Sequence, residues 1–316
     1  MSEKRPTTEG VLAAAKRIAG QVIATPLLPF EHQGKRLWAK AECLQPMGAF
    51  KLRGAANRLL RLDEAERARG VVAFSSGNHA QGVALAARRL GIAATIVMPA
   101  DAPAVKLNAT RDHGAEIITY DRHTGSREEI GARLAAERGA VLVPSFDDVD
   151  VIEGQGTVGV EIAGQLGRQP PLVIVPCGGG GLSAGIALAL PESRILVAEP
   201  EGWDDMARSL AGGAIVPVEE PAPPTRCDAL QTTLVSPLTF GALRDARARG
   251  VAVSEEEVAA AMRFAFSALR LVAEPGGAVA LAALLAGKAG EVPDDAVVVI
   301  SGGNVDPAQY AEILAG

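Results

Sequence analysis

From Gly70 onward the chain alternates between short apolar runs and longer stretches with helical spacing. "VVAF" (71–74), "ATIVMP" (94–99), "EIITY" (116–120) and "AVLVP" (140–144) have the length and Val/Ile content of buried strands. The segment after Asn78, residues 103–113 and residues 125–138 lie between them and read as helices. That order makes βαβ units and a parallel sheet. A second block repeats the theme. "PLVIVP" (171–176), "RILVAEP" (194–200) and "DDAVVVIS" (294–301) read as strands, with helices expected over 152–166, 182–190, 255–269 and 276–287. Residues 212–236 hold several prolines and little periodicity, which predicts a long ordered loop. There is no long-period repeat and no low-complexity tract. The fold class is α/β with two open parallel-sheet domains, and a ligand belongs at the carboxyl ends of the strands, in the cleft between the domains.

Composition narrows the function. The chain has 316 residues, 48% hydrophobic and 22% charged, enough for a large core in two domains or one large one. A net charge of −6 without basic clusters, and 3% aromatic residues, argue against nucleic acid. No apolar run is long enough for a membrane span, and "MSEKRPTTEG" has no apolar core of a signal peptide. The cysteines Cys43, Cys177 and Cys227 are odd in number and form no CxxC pair. A disulfide framework is not expected, and a reducing cytoplasm is. His32, His79, His113 and His123 form no close ligand pair, so a catalytic zinc site is not expected.

Candidate chemistry sits on the glycine-rich segments. In "VPCGGGGLSAG" (175–185), Gly178, Gly179, Gly180 and Gly181 follow an expected strand and open an expected helix. Backbone N–H groups can converge there at a helix N-terminus, which suits a phosphate; the alternative is a flexible turn. "GQGTVG" (154–159) matches a dinucleotide fingerprint letter for letter, but it follows no apolar strand and no acid stands about 20 residues on, so it is set aside. "SSGNHAQG" (75–82) places Ser75, Ser76, Asn78 and His79 at a strand's carboxyl end, as substrate donors or as helix caps. "VISGGN" (299–304) brings Ser301 to the same kind of edge, though Ser-Gly-Gly is also a common turn. "MGAFKLRGA" (47–55) sets Lys51 after Phe50 and between glycines, either as a loop lysine opening a surface helix or as an amine that does chemistry. A lysine, a phosphate cradle and two polar strand ends are the set that pyridoxal phosphate needs.

With "GAFKLRGA", "SSGNHAQG", "CGGGGLSAG" and "SGGN" in this order and spacing, the chain resembles the serine/threonine dehydratase (threonine ammonia-lyase) and serine racemase family of fold type II pyridoxal-phosphate enzymes, which are tryptophan synthase β-like. The resemblance covers nearly the whole chain. It implies a large cofactor-binding domain over 1–68 and 148–316 and a small substrate-closing domain over 69–147. Lys51 would carry the Schiff base, Phe50 would pack near the ring and Asn78 would bond its 3′-hydroxyl. Gly178 to Gly181 and the Leu182 N–H would cradle the phosphate, and Ser301 would face the pyridine nitrogen. Ser75, Ser76, Asn78 and His79 would surround the substrate carboxylate, joined by Arg127 of "GSREE", for which a surface helix is the alternative. "AEPEGWDD" (198–205) resembles the family's metal loop, with Glu199, Asp205 and the Trp203 carbonyl as ligands for Mg2+ or Ca2+; the alternative is a solvated acidic turn. Two positions depart from the family, which often has threonine at Met47 and serine at Ala49.

The activity this implies is loss of water from L-threonine or L-serine, giving a 2-oxo acid and ammonia. Lys51 and Ser76 are the candidate catalytic residues, since the family's racemases use the serine at Ser76 as an acid/base. A serine or aspartate racemase, a 3-hydroxyaspartate dehydratase and an inactive ligand-binding homologue are the competing readings. The expected partner is a small amino-acid substrate, with no nucleic acid or membrane, in a homodimer or homotetramer.

Overall fold

The structure is a computed structural model that describes residues 5–102, 104–121 and 124–316. His123, the first residue of the expected 103–113 helix and the first four residues of the chain lie outside the described residues.

Ten strands form two sheets: β1 (Leu27–His32), β2 (Lys35–Ala41), β3 (Val71–Phe74), β4 (Ala94–Pro99), β5 (Glu116–Tyr120), β6 (Val141–Leu142), β7 (Leu172–Pro176), β8 (Arg194–Pro200), β9 (Arg249–Val253) and β10 (Val297–Ile300). The smaller sheet has the order β5-β4-β3-β6 and is wholly parallel. The larger has the order β1-β2-β10-β7-β8-β9. Its strands are parallel except for β1 and β2, which pair antiparallel. The two expected open parallel sheets are both present, and the larger carries one antiparallel strand, β1, at its edge. Gln33 and Gly34 both have positive φ, which is the backbone of a tight hairpin turn.

The central strands β4, β7 and β10 are buried throughout, because helices cover both faces of each sheet. The expected strands 140–144 and 294–301 shrink to Val141–Leu142 and Val297–Ile300. The expected helix 255–269 is an α-helix over Glu255–Phe264 that widens to a π-turn over Ala265–Leu269. "GQGTVG" lies inside helix Val149–Leu166, whose N-cap Asp148 accepts from the Val151 N–H. Its glycines let helices touch: a Cβ on Gly156 would stand 2.6 Å from the Gly185 carbonyl, and one on Gly154 would stand 2.7 Å from the Arg53 carbonyl.

Two helices set up the site. Helix Lys51–Leu60 and helix Asn78–Leu90 share one apolar cluster that contains Leu52, Ala55, Ala56, Ala80, Val83 and Ala84. Their backbones come close at Gly82, where a Cβ would stand 3.1 Å from the Lys51 carbonyl carbon. Among the described residues no helix is long and apolar enough to cross a membrane.

Candidate active site

Lys51 is the first residue of its helix, with Phe50 at the N-cap. That helix is not a surface helix, since Leu52, Arg53, Gly54, Ala55 and Ala56 are all buried. Arg53 anchors it: Nε bonds Glu42 Oε2 at 2.7 Å and Nη1 bonds Glu161 Oε1 at 2.6 Å. Buried Lys40 shares Glu161 at 2.6 Å, so two cations and two carboxylates compensate one another beneath the site. The loop before Lys51 is tied to the loop after β10. The Phe50 N–H donates to the Ser301 carbonyl at 3.1 Å, and the Gly303 N–H donates to the Gly48 carbonyl at 2.9 Å.

Lys51 Nζ donates to the Ser145 carbonyl at 2.9 Å and lies 5.1 Å from the centre of the Phe50 ring. Desolvation brings its pKa down to about 8. His79 is buried, and its Nε2 lies 2.8 Å from the Val143 carbonyl. A carbonyl only accepts, so the ring proton belongs on Nε2. Nδ1 is then a buried acceptor without a partner. Burial first, and then the charge of Lys51, push the His79 pKa down to about 3, which keeps the ring neutral.

The glycine tract follows β7 as expected. Gly180 is the N-cap of helix Gly181–Ala189, with φ 85°. Two of the four glycines leave no room for a side chain. A Cβ on Gly179 would stand 2.3 Å from the Phe146 ring, and one on Gly180 would stand 2.7 Å from Met206 Cε. The first N–H groups of a helix have no intrahelical acceptor, so the tract offers converging donors at a positive helix end. Gly77, not a serine, is the N-cap of helix Asn78–Leu90, and no side chain caps it. Ser75 Oγ accepts from the Gly77 N–H at 3.1 Å instead.

One cavity of about 380 Å³ gathers these groups. Phe50, Lys51, Ser75, Ser76, Asn78, His79, Arg127, Gly178, Gly179, Gly180, Gly181, Leu182 and Ser301 all line it. Arg127, at the start of helix Arg127–Arg138, pairs with Glu128 at 2.7 Å and lies 6.0 Å from the Phe74 ring centre. Glu199, Trp203 and Asp205 are not among the lining residues. Glu199 is buried and takes the N–H groups of Met206 at 3.2 Å and Ala207 at 2.8 Å. Asp205 is buried with both carboxylate oxygens unpartnered. Desolvation raises both acids, Asp205 to about 6. Among the described residues no group of three or more His, Cys, Asp or Glu side chains forms a metal site. A cation here would therefore need backbone oxygen as well, as the Trp203 carbonyl would provide. The orphaned Asp205 oxygens fit such an ion.

Four lining or supporting residues were not singled out in the sequence. Lys106 pairs with Asp228 across the cavity mouth, linking helix Ala104–Asp112 to the turn at Asp228–Leu230. Glu274 receives a hydrogen bond from Asn78 Nδ2 at 2.6 Å, and Asn304 Nδ2 donates to Asn78 Oδ1 at 2.8 Å. The final residue of "SGGN" was a usable signal for Asn304. The acid in "AEPGG" carries no comparable local signal.

A desolvated lysine facing a cradle of backbone donors is the arrangement of an enzyme that borrows its reactive carbonyl from a phosphorylated cofactor. The family model described as pyridoxal-phosphate dependent enzyme matches residues 18–303, and the chain belongs to that family. An L-threo-3-hydroxyaspartate ammonia-lyase of Saccharomyces cerevisiae is 41% identical, over 98% of this chain and 97% of that protein. One of Pseudomonas sp is 43% identical, over 97% of this chain and 98% of that protein. Among solved structures, maize serine racemase superposes with a TM-score of 0.91 at 37% identity, covering 99% of this chain and 98% of that one. The fold is thus that of the fold type II enzymes, the cofactor is pyridoxal phosphate, and the chain is an enzyme of the ammonia-lyase and racemase group.

Proposed function

We propose that the protein removes water from a 3-hydroxy amino acid, with L-threo-3-hydroxyaspartate ahead of L-serine and L-threonine, and releases a 2-oxo acid and ammonia. Two cationic side chains set among the carboxylates of Glu128, Asp147, Asp228 and Glu274 in the cavity wall support this preference. Besides Lys51, the cationic side chains that line the cavity are Lys106 and Arg127. A monocarboxylate needs one anion site, and the Ser75–His79 loop at a helix N-terminus offers that. A second carboxylate calls for a second cation, and both are present, each now paired with an acid that substrate would displace. The two hydroxyaspartate ammonia-lyases similar along nearly the full chain support the same preference.

In this reading Phe50 packs beside the cofactor ring, Asn78 bonds its 3′-hydroxyl, and the N–H groups from Gly178 to Leu182 hold its phosphate. Bound pyridoxal phosphate supplies an electron sink for the bond broken at Cα. Lys51 takes the Cα proton on Nζ, and its depressed pKa leaves a useful unprotonated fraction near neutrality. Ser301 is a neutral hydroxyl, unable to hold the pyridine nitrogen protonated as an aspartate would. That would favour loss of the β-hydroxyl, which would leave as water with the proton that Lys51 took from Cα. The Ser75 and Ser76 hydroxyls, the Arg127 guanidinium and the backbone N–H groups of Asn78 and His79 at the helix start bind the substrate's carboxylates. Glu199, Asp205 and the Trp203 carbonyl hold Mg2+ or Ca2+ in a structural role. A cytoplasmic homodimer or homotetramer completes the reading, as does closure of segment 69–147 on substrate.

The deciding experiment assays a panel of hydroxy amino acids for 2-oxo acid and ammonia. The highest kcat/KM is expected for 3-hydroxyaspartate. A higher value for serine or threonine would reverse the preference, and no oxo acid from any of them would sink the lyase reading. Ser76 in the cavity favours racemisation as a second activity, and chiral analysis of the leftover substrate tests it.

A further inference from the structure

A chain of two amides joins three loops of the site and ends on an acid. Asn304 Nδ2 donates to the Met47 carbonyl at 2.9 Å and to Asn78 Oδ1 at 2.8 Å. The Met47 carbonyl can only accept, so the Asn304 amide has one orientation, and it imposes one on Asn78. Asn78 must then turn its Nδ2 toward Glu274 Oε1, which lies at 2.6 Å. Glu274 stands at the N-cap of helix Pro275–Leu285, yet its carboxyl caps no N–H there. It is buried and lines the cavity instead. Its backbone N–H donates to the Gly302 carbonyl at 3.0 Å. Gly302 is what lets the carboxyl in, since a Cβ there would stand 2.0 Å from Oε1. The glycine after Ser301 is thus explained by the acid it accommodates.

Burial, and then the charge of Asp228, raise the Glu274 pKa to about 8, against the hydrogen bond from Asn78 and the charge of Lys106. The other titratable groups coupled to it are the thiols of Cys43 and Cys227, both raised to about 12 and uncharged near neutrality.

We propose that Glu274 is a positioning residue that acts through Asn78 on the cofactor's 3′-oxygen, its proton setting how strong a donor Asn78 presents. One Asn78 N–H is held by Glu274, and the other is the donor left for the cofactor. When Glu274 releases its proton to solvent, the carboxylate draws harder on the first N–H and weakens the second. Its new charge also disfavours negative charge on the 3′-oxygen. The inference rests on the family's cofactor and is independent of which hydroxy amino acid is the substrate.

The test uses the holoenzyme without substrate and reads the visible absorption of the bound cofactor against pH. In the wild type a spectral step is expected, with its midpoint well above the ordinary carboxyl range because the acid is buried. Glu274→Gln keeps an acceptor for Asn78 and cannot ionise, so the step should disappear while the band remains. Gly302→Ala, which crowds the carboxyl off Asn78, should shift or abolish the same step; it serves if the glutamine variant fails to fold by circular dichroism. A wild type without the step, or a step unchanged in the folded variants, overturns the proposal. Because no substrate is present, failure here is distinct from failure of the hydroxyaspartate reading.

Discussion

Gly178–Gly181 and the GQGTVG segment are both rich in glycine and both adjoin helix Gly181–Ala189, but their glycines do different work. In the first, missing side chains clear room in a cavity that also holds Lys51. In the second, they let two helices approach until Gly156 and Gly185 touch, with a would-be Cβ on Gly185 2.5 Å from the Gly156 nitrogen. A glycine spacing says only that something must come close. Whether that is a ligand or another helix depends on what lies before it: a buried strand for the tract, and the helix's own first turn for GQGTVG.

The comparison predicts a ranked set of effects. The largest control is Lys51→Ala, which should lower turnover by ~10³-fold or more while leaving the circular dichroism spectrum intact. Next is Gly179→Ala. Its methyl meets the Phe146 ring at 2.3 Å, so the cradle must shift, and turnover should fall by ~100-fold through misplaced cofactor. A tight wild-type-like cofactor affinity in this variant would break the contrast. Gly156→Ala should act on the fold: chemical denaturation should show a loss of about 1–3 kcal/mol, with the bound cofactor's absorption unchanged. Smallest is Gly164→Ala in the same helix, exposed and with nothing near its would-be Cβ. There the methyl should stabilise by about 0.5–1 kcal/mol, with activity unaltered.

Stability against pH sharpens the picture through Glu274. Its folded pKa, about 8, lies above the ordinary 4.5, so the folded state holds the proton more tightly. Its contribution is fully present below 4.5 and is lost as pH rises through 8. Thermal melts of the cofactor-free protein should therefore fall over that window more steeply in the wild type than in Glu274→Gln.

Much of this was legible from pattern alone where burial is two-sided. β3, β4 and β8 coincide with the runs read from the sequence, because parallel strands covered on both faces are largely apolar; β5 coincides as well through its Ile117–Ile118 pair, although Glu116 and Thr119 are exposed at the sheet edge. β1 and β2 were not legible. Lys40 is buried within β2 and satisfied by Glu161, Gln165 and the Thr25 carbonyl, a compensation that no local pattern reveals. β1 shows only a half-buried alternation broken by Pro29. At the site, the residues supplied by motifs met in one cavity. Glu274 and Lys106 stayed hidden because their partners, Asn78 and Asp228, are distant in sequence.

The near-contact at Gly82 has a mechanical consequence. The helix that starts with the lysine and the helix that starts with Asn78 share a continuous apolar seam, so these two helices cannot swing apart like a hinged lid without exposing that seam to water. Sliding along it, a shear of packed helices, would keep it covered. Such packing would keep the Lys51 amine and the Asn78 amide aligned.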